Sequence, residues 1–148
     1  MFDGTQDHGL TDPIQREPDT SLDALEHELT TLAGHLNAGN YRFLKLLAEF
    51  EQRGGHVGWG IVSCAHWLSW KCGIGLTAAR EKVRVAKALE ALPKLSDAMS
   101  RGVLSYCKAR ALTRVATPDN EDYLLSIAET GTVSHVEKTV RLYRKADR

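Results

Sequence analysis

The chain has 148 residues, enough for one domain with a buried core, and its 43% hydrophobic and 26% charged composition is that of a folded, water-exposed protein. No apolar run approaches the ~20 residues of a membrane helix, and the first residues lack the basic start and apolar stretch of a secretory signal. The formal net charge is zero, but the charges are unevenly placed. Residues 1–40 hold eight acids (Asp3, Asp7, Asp12, Glu17, Asp19, Asp23, Glu26 and Glu28) against Arg16 alone, so the rest of the chain is basic. An acidic leader beside a basic body accompanies nucleic-acid partners; a merely solvated leader explains it equally well.

In chain order, residues 1–19 are polar, carry Pro13 and Pro18, lack periodicity and read as a disordered leader. A single helical domain is expected over 20–148. Leu22, Leu25, Leu29, Leu32 and Leu36 alternate spacings of three and four, and Phe43, Leu46 and Phe50 keep the phase. That repeat predicts a helix over 20–53 packing along a narrow stripe, with a homodimer through the five leucines as one use of it. "NAGN" at 37–40 would split it into a hairpin, and "RGGHVGWG" at 53–60 ends it.

Shorter helices follow. Ser63 is placed to cap one that reaches Cys72 and stops at Gly73, and Thr77 to cap the next, ending near Pro93. The remainder, 95–146, divides into a helix at 95–100, one from Ser105 to "TPDN" at 117–120, one from Asp119 through Glu129, and a last one capped by Ser134 and Glu137. No segment alternates long enough for a strand. The fold class expected is all-α, six to eight helices, with a long N-terminal helix or hairpin and a helix-turn-helix-like centre at 61–93.

The centre carries the chemistry. Arg80, Arg84 and Lys87 fall within roughly 60° of one another on the second helix, while Ala78, Val85, Ala86, Leu89 and Leu92 face the other way. Lys82 lies near the apolar arc and has to snorkel. The first helix offers Cys64, Trp67 and Leu68 for packing, and "GIGL" joins the two. A helix, a short glycine-containing turn and a second helix with a basic outer face is what major-groove docking needs, although a charged outer face is equally what any surface helix shows. Residues 71–114 hold ten basic side chains against Glu81, Glu90 and Asp97, an electrostatic footprint in which Arg110 and Arg114 form a second strip.

The runs "AEFEQRGG", "AHWLSWKCGIGLTAAREKVRVAKALEALPKLSDAMSRGVLSYCKARALTRVATPDNEDYL" and "VEKTVRLYRK" resemble the family called domain of unknown function 222, over about residues 22–144. The resemblance implies an actinobacterial, mobile-element-type protein whose relatives often carry an HNH endonuclease after this region. "ALP" at 91–93, "GVLS" at 102–105 and "ARAL" at 109–112 are similar to steps in the DNA-binding region of the plasmid-partition ParB family. An HNH nuclease requires clustered His or Asn at a metal, often with a Cys-x-x-Cys staple. Here His8, His27, His35, His56, His66 and His135 are scattered, and no Cys-x-x-Cys occurs. No catalytic residue, metal or cofactor is therefore expected in this chain, which reads as a fragment or a stand-alone module.

Other constellations are weaker. His66 beside Trp67 and Trp70 reads as a structural histidine next to core tryptophans, and Cys64, Cys72 and Cys107 as reduced core thiols of a cytoplasmic protein. Lys138, Arg141 and Lys145 read as a solvated edge in which Glu137 pairs with Arg141. The expected function is binding of double-stranded DNA through Arg80, Arg84, Lys87 and Lys82, with Arg110 and Arg114 behind them. The alternative is an assembly module that uses Leu22, Leu25, Leu29, Leu32 and Leu36 and binds no nucleic acid.

Overall fold

The computed structural model describes residues 21–148, so the leader over 1–19 lies outside the described residues. The chain divides into two units, 1–31 and 32–148. In the first, the described part is the start of helix α1 (Leu22–Gln52), and its side chains are exposed. Ser21 begins it, with Oγ accepting from the Ala24 backbone N–H.

The second unit holds the rest of α1 together with α2 (Cys64–Cys72), α3 (Leu76–Leu89), α4 (Pro93–Ser100), α5 (Tyr106–Leu112), α6 (Glu121–Thr130) and α7 (Val133–Ala146). The protein is all-α: seven helices and no strand among the described residues. Its core gathers Leu44, Leu68, Leu95, Met99, Leu104 and Leu124, each burial favourable by about 1.5–3 kcal/mol. The α2–α3 pair packs together across a three-residue join, α3 meets α4 and α5, α4 meets α6, and α5 lies along α7.

The helical hairpin is not formed; α1 passes through "NAGN" without a break. Tyr41, Leu44, Leu47 and Ala48 pack inward there, and Asn37 Nδ2 donates to the Gly102 carbonyl at 3.1 Å. These contacts outweigh the roughly 1 kcal/mol that Gly39 costs a helix. Leu22, Leu25, Leu29, Leu32 and Leu36 are all exposed, whereas Phe43, Leu47 and Phe50, which lie in the same direction five turns after Leu25, Leu29 and Leu32, pack against the core. Gly102, at φ 80°, lies so close to Gly34 that a Cβ added to it would stand 2.9 Å from the Gly34 carbonyl carbon.

The helix ends differ from the expected ones in informative ways. Ser63 Oγ accepts from the His66 N–H and Gly73 ends α2 in the left-handed region, as expected. Thr77 does not cap α3. The tight join starts that helix at Leu76 behind Gly75, which makes no side-chain cap. The chain then narrows into i→i+3 bonds over 87–92, and Pro93 opens α4 at a first-turn position where its missing N–H costs nothing. Ser105 caps α5 as expected, but α5 ends at Leu112 rather than at 117–120, tightening through the Arg114 and Val115 N–H bonds. Asn120, not Asp119, precedes α6; its side chain accepts from the Thr117 N–H and donates to the Val115 carbonyl. Thr132 and His135, not Ser134 and Glu137, form the capping box of α7. The extended backbone at Thr132, just after Gly131, places the cap two residues early.

Candidate nucleic-acid interface

On α3, Ala79, Val85, Ala86 and Leu89 point into the core, which turns Arg80 and Lys87 outward. Ala78, expected inside, is exposed. Arg80 forms no ion pair among the described residues, and Thr77 and Ala78 beside it are open to solvent. Lys87 does not project freely: its Nζ is 2.7 Å from Glu51 Oε1, tying α3 to the end of α1. Lys82 snorkels as its position requires. Its Nζ sits 3.9 Å from the Tyr106 ring centroid, and burial holds its pKa below the ordinary lysine value. Burial also pushes the Tyr106 hydroxyl up.

Arg84 is half-buried and reaches across to α5. Its guanidinium donates to Thr113 Oγ1 at 3.2 Å and to the Arg110 carbonyl at 3.0 Å, and grips both oxygens of Glu81. Arg110 and Arg114 come to the same carboxylate from α5, Nε of Arg110 at 3.1 Å and Nη2 of Arg114 at 3.0 Å from Glu81 Oε2. One carboxylate oxygen thus receives three guanidinium donors. They hold the Glu81 carboxyl at about 2, down from its ordinary 4.5; the Arg84 hydrogen bonds lead, against a smaller upward push from burial. Three positive charges on one negative leave the α3–α5 face cationic. Arg110 is 49% and Arg114 35% exposed, so both keep donors in water.

The basic face continues onto α7. A cavity of about 260 Å³ between α5 and α7 is lined by Arg110 and Arg114 on one side and Arg141 and Arg144 on the other. The expected Glu137–Arg141 ion pair is not made; neither Arg141 nor Arg144 has one among the described residues. The sequence alone does not bring this strip together, because its arginines meet α5 only through tertiary packing. A weaker signal was present: Arg110 and Arg114 are one turn apart, as are Arg141 and Arg144.

The other expected features resolve as follows. His66 Nδ1 accepts from the Val62 N–H at 3.1 Å, a structural role. Trp67 stacks on Phe50 at 4.3 Å between centroids, but Trp70 is 64% exposed and is no core residue. Cys64 is buried, with its thiol pKa raised by that burial, while Cys72 and Cys107 are exposed rather than in the core. Among the described residues no three His, Cys, Asp or Glu side chains group to hold a metal ion, and no helix is long and apolar enough to cross a membrane. No known protein family, curated protein or solved structure matches the chain.

Proposed function

We propose that this chain is a DNA-binding helical module of the HNH-endonuclease-associated, mobile-element type, working inside the cell and contributing recognition without catalysis. The observation that carries the reading is the convergence of Arg84, Arg110 and Arg114 on one oxygen of Glu81. Arg110 and Arg114, each spending one donor on Glu81, keep their other donors with little side-chain entropy left to lose, which suits contact with backbone phosphates, whereas Arg84 spends four of its five on the fold. Arg80 on the exposed start of α3 extends the same face toward a groove, in the manner of a second helix of a helix-turn-helix. The runs that resemble the domain of unknown function 222 and the ParB DNA-binding region fall on these same helices, and membership of that family is part of this proposal.

The test is fluorescence anisotropy with a mixed-sequence duplex, titrated from low to physiological salt, for the wild type and the Arg80→Gln/Arg110→Gln/Arg114→Gln variant. Arg84 stays because it also holds α3 to α5. Each phosphate contact contributes about 0.9 to the slope of log affinity against log salt, so the variant should lose roughly 2 to 3. No binding by the wild type at low salt would end this reading.

A second reading, self-assembly, is favoured by the exposed leucines of α1. Leu32 and Leu36 are 54% and 61% exposed, and an apolar cavity of about 620 Å³ lies nearby, lined in part by Phe43, Leu46, Phe50 and Trp67. This reading expects twice the monomer mass in light scattering, with no affinity for DNA.

A further inference from the structure

We infer that the cavity between α5 and α7 is a binding site for a single phosphate group, held by Arg110, Arg114, Arg141 and Arg144. The inference deepens the DNA-binding reading and rests on it for the source of the phosphate, but the site has its own physical grounds. Four guanidinium-bearing side chains line the cavity against one carboxylate, Glu137. Glu81, just outside the lining, is shared with Arg84, so a net excess of about two to three positive charges remains in the Coulomb count. A phosphate dianion, or one diester with its neighbour, balances that excess.

The donors are available. Among the described residues, Arg110 spends only its Nε and Arg114 a single Nη2 on Glu81. Each guanidinium has five N–H donors, so most of both forks are left over. The bond to Glu81 restrains Arg110 and Arg114, so that half of the site is partly preorganised. Arg141 and Arg144 stand one turn apart on α7, uncommitted, on the facing wall. The wall between them is apolar, with Val140 buried, and an apolar wall strengthens the field an anion meets. At about 260 Å³ the cavity lies below the usual range for drug-sized ligands and has ample room for a phosphate group.

Glu137 faces the same cavity, so its charge opposes the ligand. Removing it should tighten phosphate binding, which a purely structural role for the arginines would not produce.

The experiment uses the whole chain in low-salt buffer, with inorganic phosphate and pyrophosphate followed by calorimetry and the duplex by anisotropy. The variants are Arg141→Gln/Arg144→Gln and Glu137→Gln, with folding checked by circular dichroism. Arg141 and Arg144 make no ion pair among the described residues, so the double variant should fold. Pyrophosphate affinity should fall at least tenfold in the double variant and rise several-fold in Glu137→Gln. The DNA salt slope should fall by about 2 in the double variant. Loss of both signals supports the site and assigns it to the DNA backbone. Loss of pyrophosphate binding with an unchanged slope, or without any DNA binding, supports the site and assigns it to a free phosphate-bearing ligand, against the DNA reading at this face. DNA binding with an unchanged slope, and no pyrophosphate response to either variant, overturns the site and leaves the DNA reading standing. Absence of all binding overturns both.

Discussion

Replacing Glu81 by glutamine keeps the shape of the side chain and removes the charge on which Arg84, Arg110 and Arg114 converge. In the folded chain the Glu81 carboxyl titrates at about 2 instead of its ordinary 4.5, chiefly through its hydrogen bonds from Arg84. A lowered folded value means that the native state binds the proton more weakly than the unfolded chain. The stabilisation is therefore complete above the ordinary value and is lost as pH falls through about 2. The full difference corresponds to about 3 kcal/mol. Water reaches the arginine side of the cluster, Arg110 being 49% exposed, and screening reduces the expected contribution to about 1–2 kcal/mol. Urea unfolding, followed by tryptophan fluorescence and circular dichroism, should show Glu81→Gln less stable than the wild type by that amount at pH 7. By pH 3 more than half of the gap should be gone, since the unfolded carboxyl is then largely protonated. A gap below about 0.3 kcal/mol at pH 7, or one constant from pH 7 to pH 3, would refute the view that this carboxylate holds the network together.

Four further outcomes are expected. Gly102→Ala should lower stability by about 2–4 kcal/mol, because φ 80° disfavours a side chain and the new Cβ runs into the Gly34 carbonyl; an unchanged melting temperature would contradict that close approach. Glu121 is 1% exposed and its Oε2 accepts from the Leu95 N–H at 2.8 Å, capping α4 from α6, so Glu121→Ala should cost about 1–3 kcal/mol in chemical denaturation. By contrast, Lys94→Ala, which removes the exposed Lys94–Asp122 pair, should stay within about 0.5 kcal/mol. Leu32→Lys with Leu36→Lys should leave the unfolding midpoint of the monomer nearly unchanged, since both side chains are already in water; if light scattering finds a wild-type dimer, this variant should be monomeric, and a persisting dimer would exclude the stripe as the interface.

Local punctuation was legible without the fold. The Ser63 cap, the Gly73 stop, the Pro93 boundary and the Ser105 cap each depend on a residue and its immediate neighbours, so they follow from backbone sterics and capping chemistry alone. The all-α class followed for the same reason, as did the outward aim of Arg80 and Lys87, because helical periodicity places side chains on faces. What periodicity cannot say is which apolar face finds a partner. The stripe of α1 keeps one direction from Leu22 to Phe50, yet only its later part, Phe43, Leu47 and Phe50, is covered together with Tyr41, Leu44 and Ala48, while Leu22 to Leu36 stay exposed. Nor can a one-dimensional pattern show where a charge ends up. In the sequence Glu81 is one of three acids among ten basic side chains, whereas in the fold it is the point where arginines 3, 29 and 33 residues away meet. Lys87 and Glu51 are likewise paired only because α3 crosses the end of α1. Arg141 and Arg144 share a cavity with Arg110 and Arg114 only because α7 lies along α5. Coulomb energy depends on distance in space, so the sequence determined which charges this protein carries and on which helix faces, and the packing of the helices decided which of them meet.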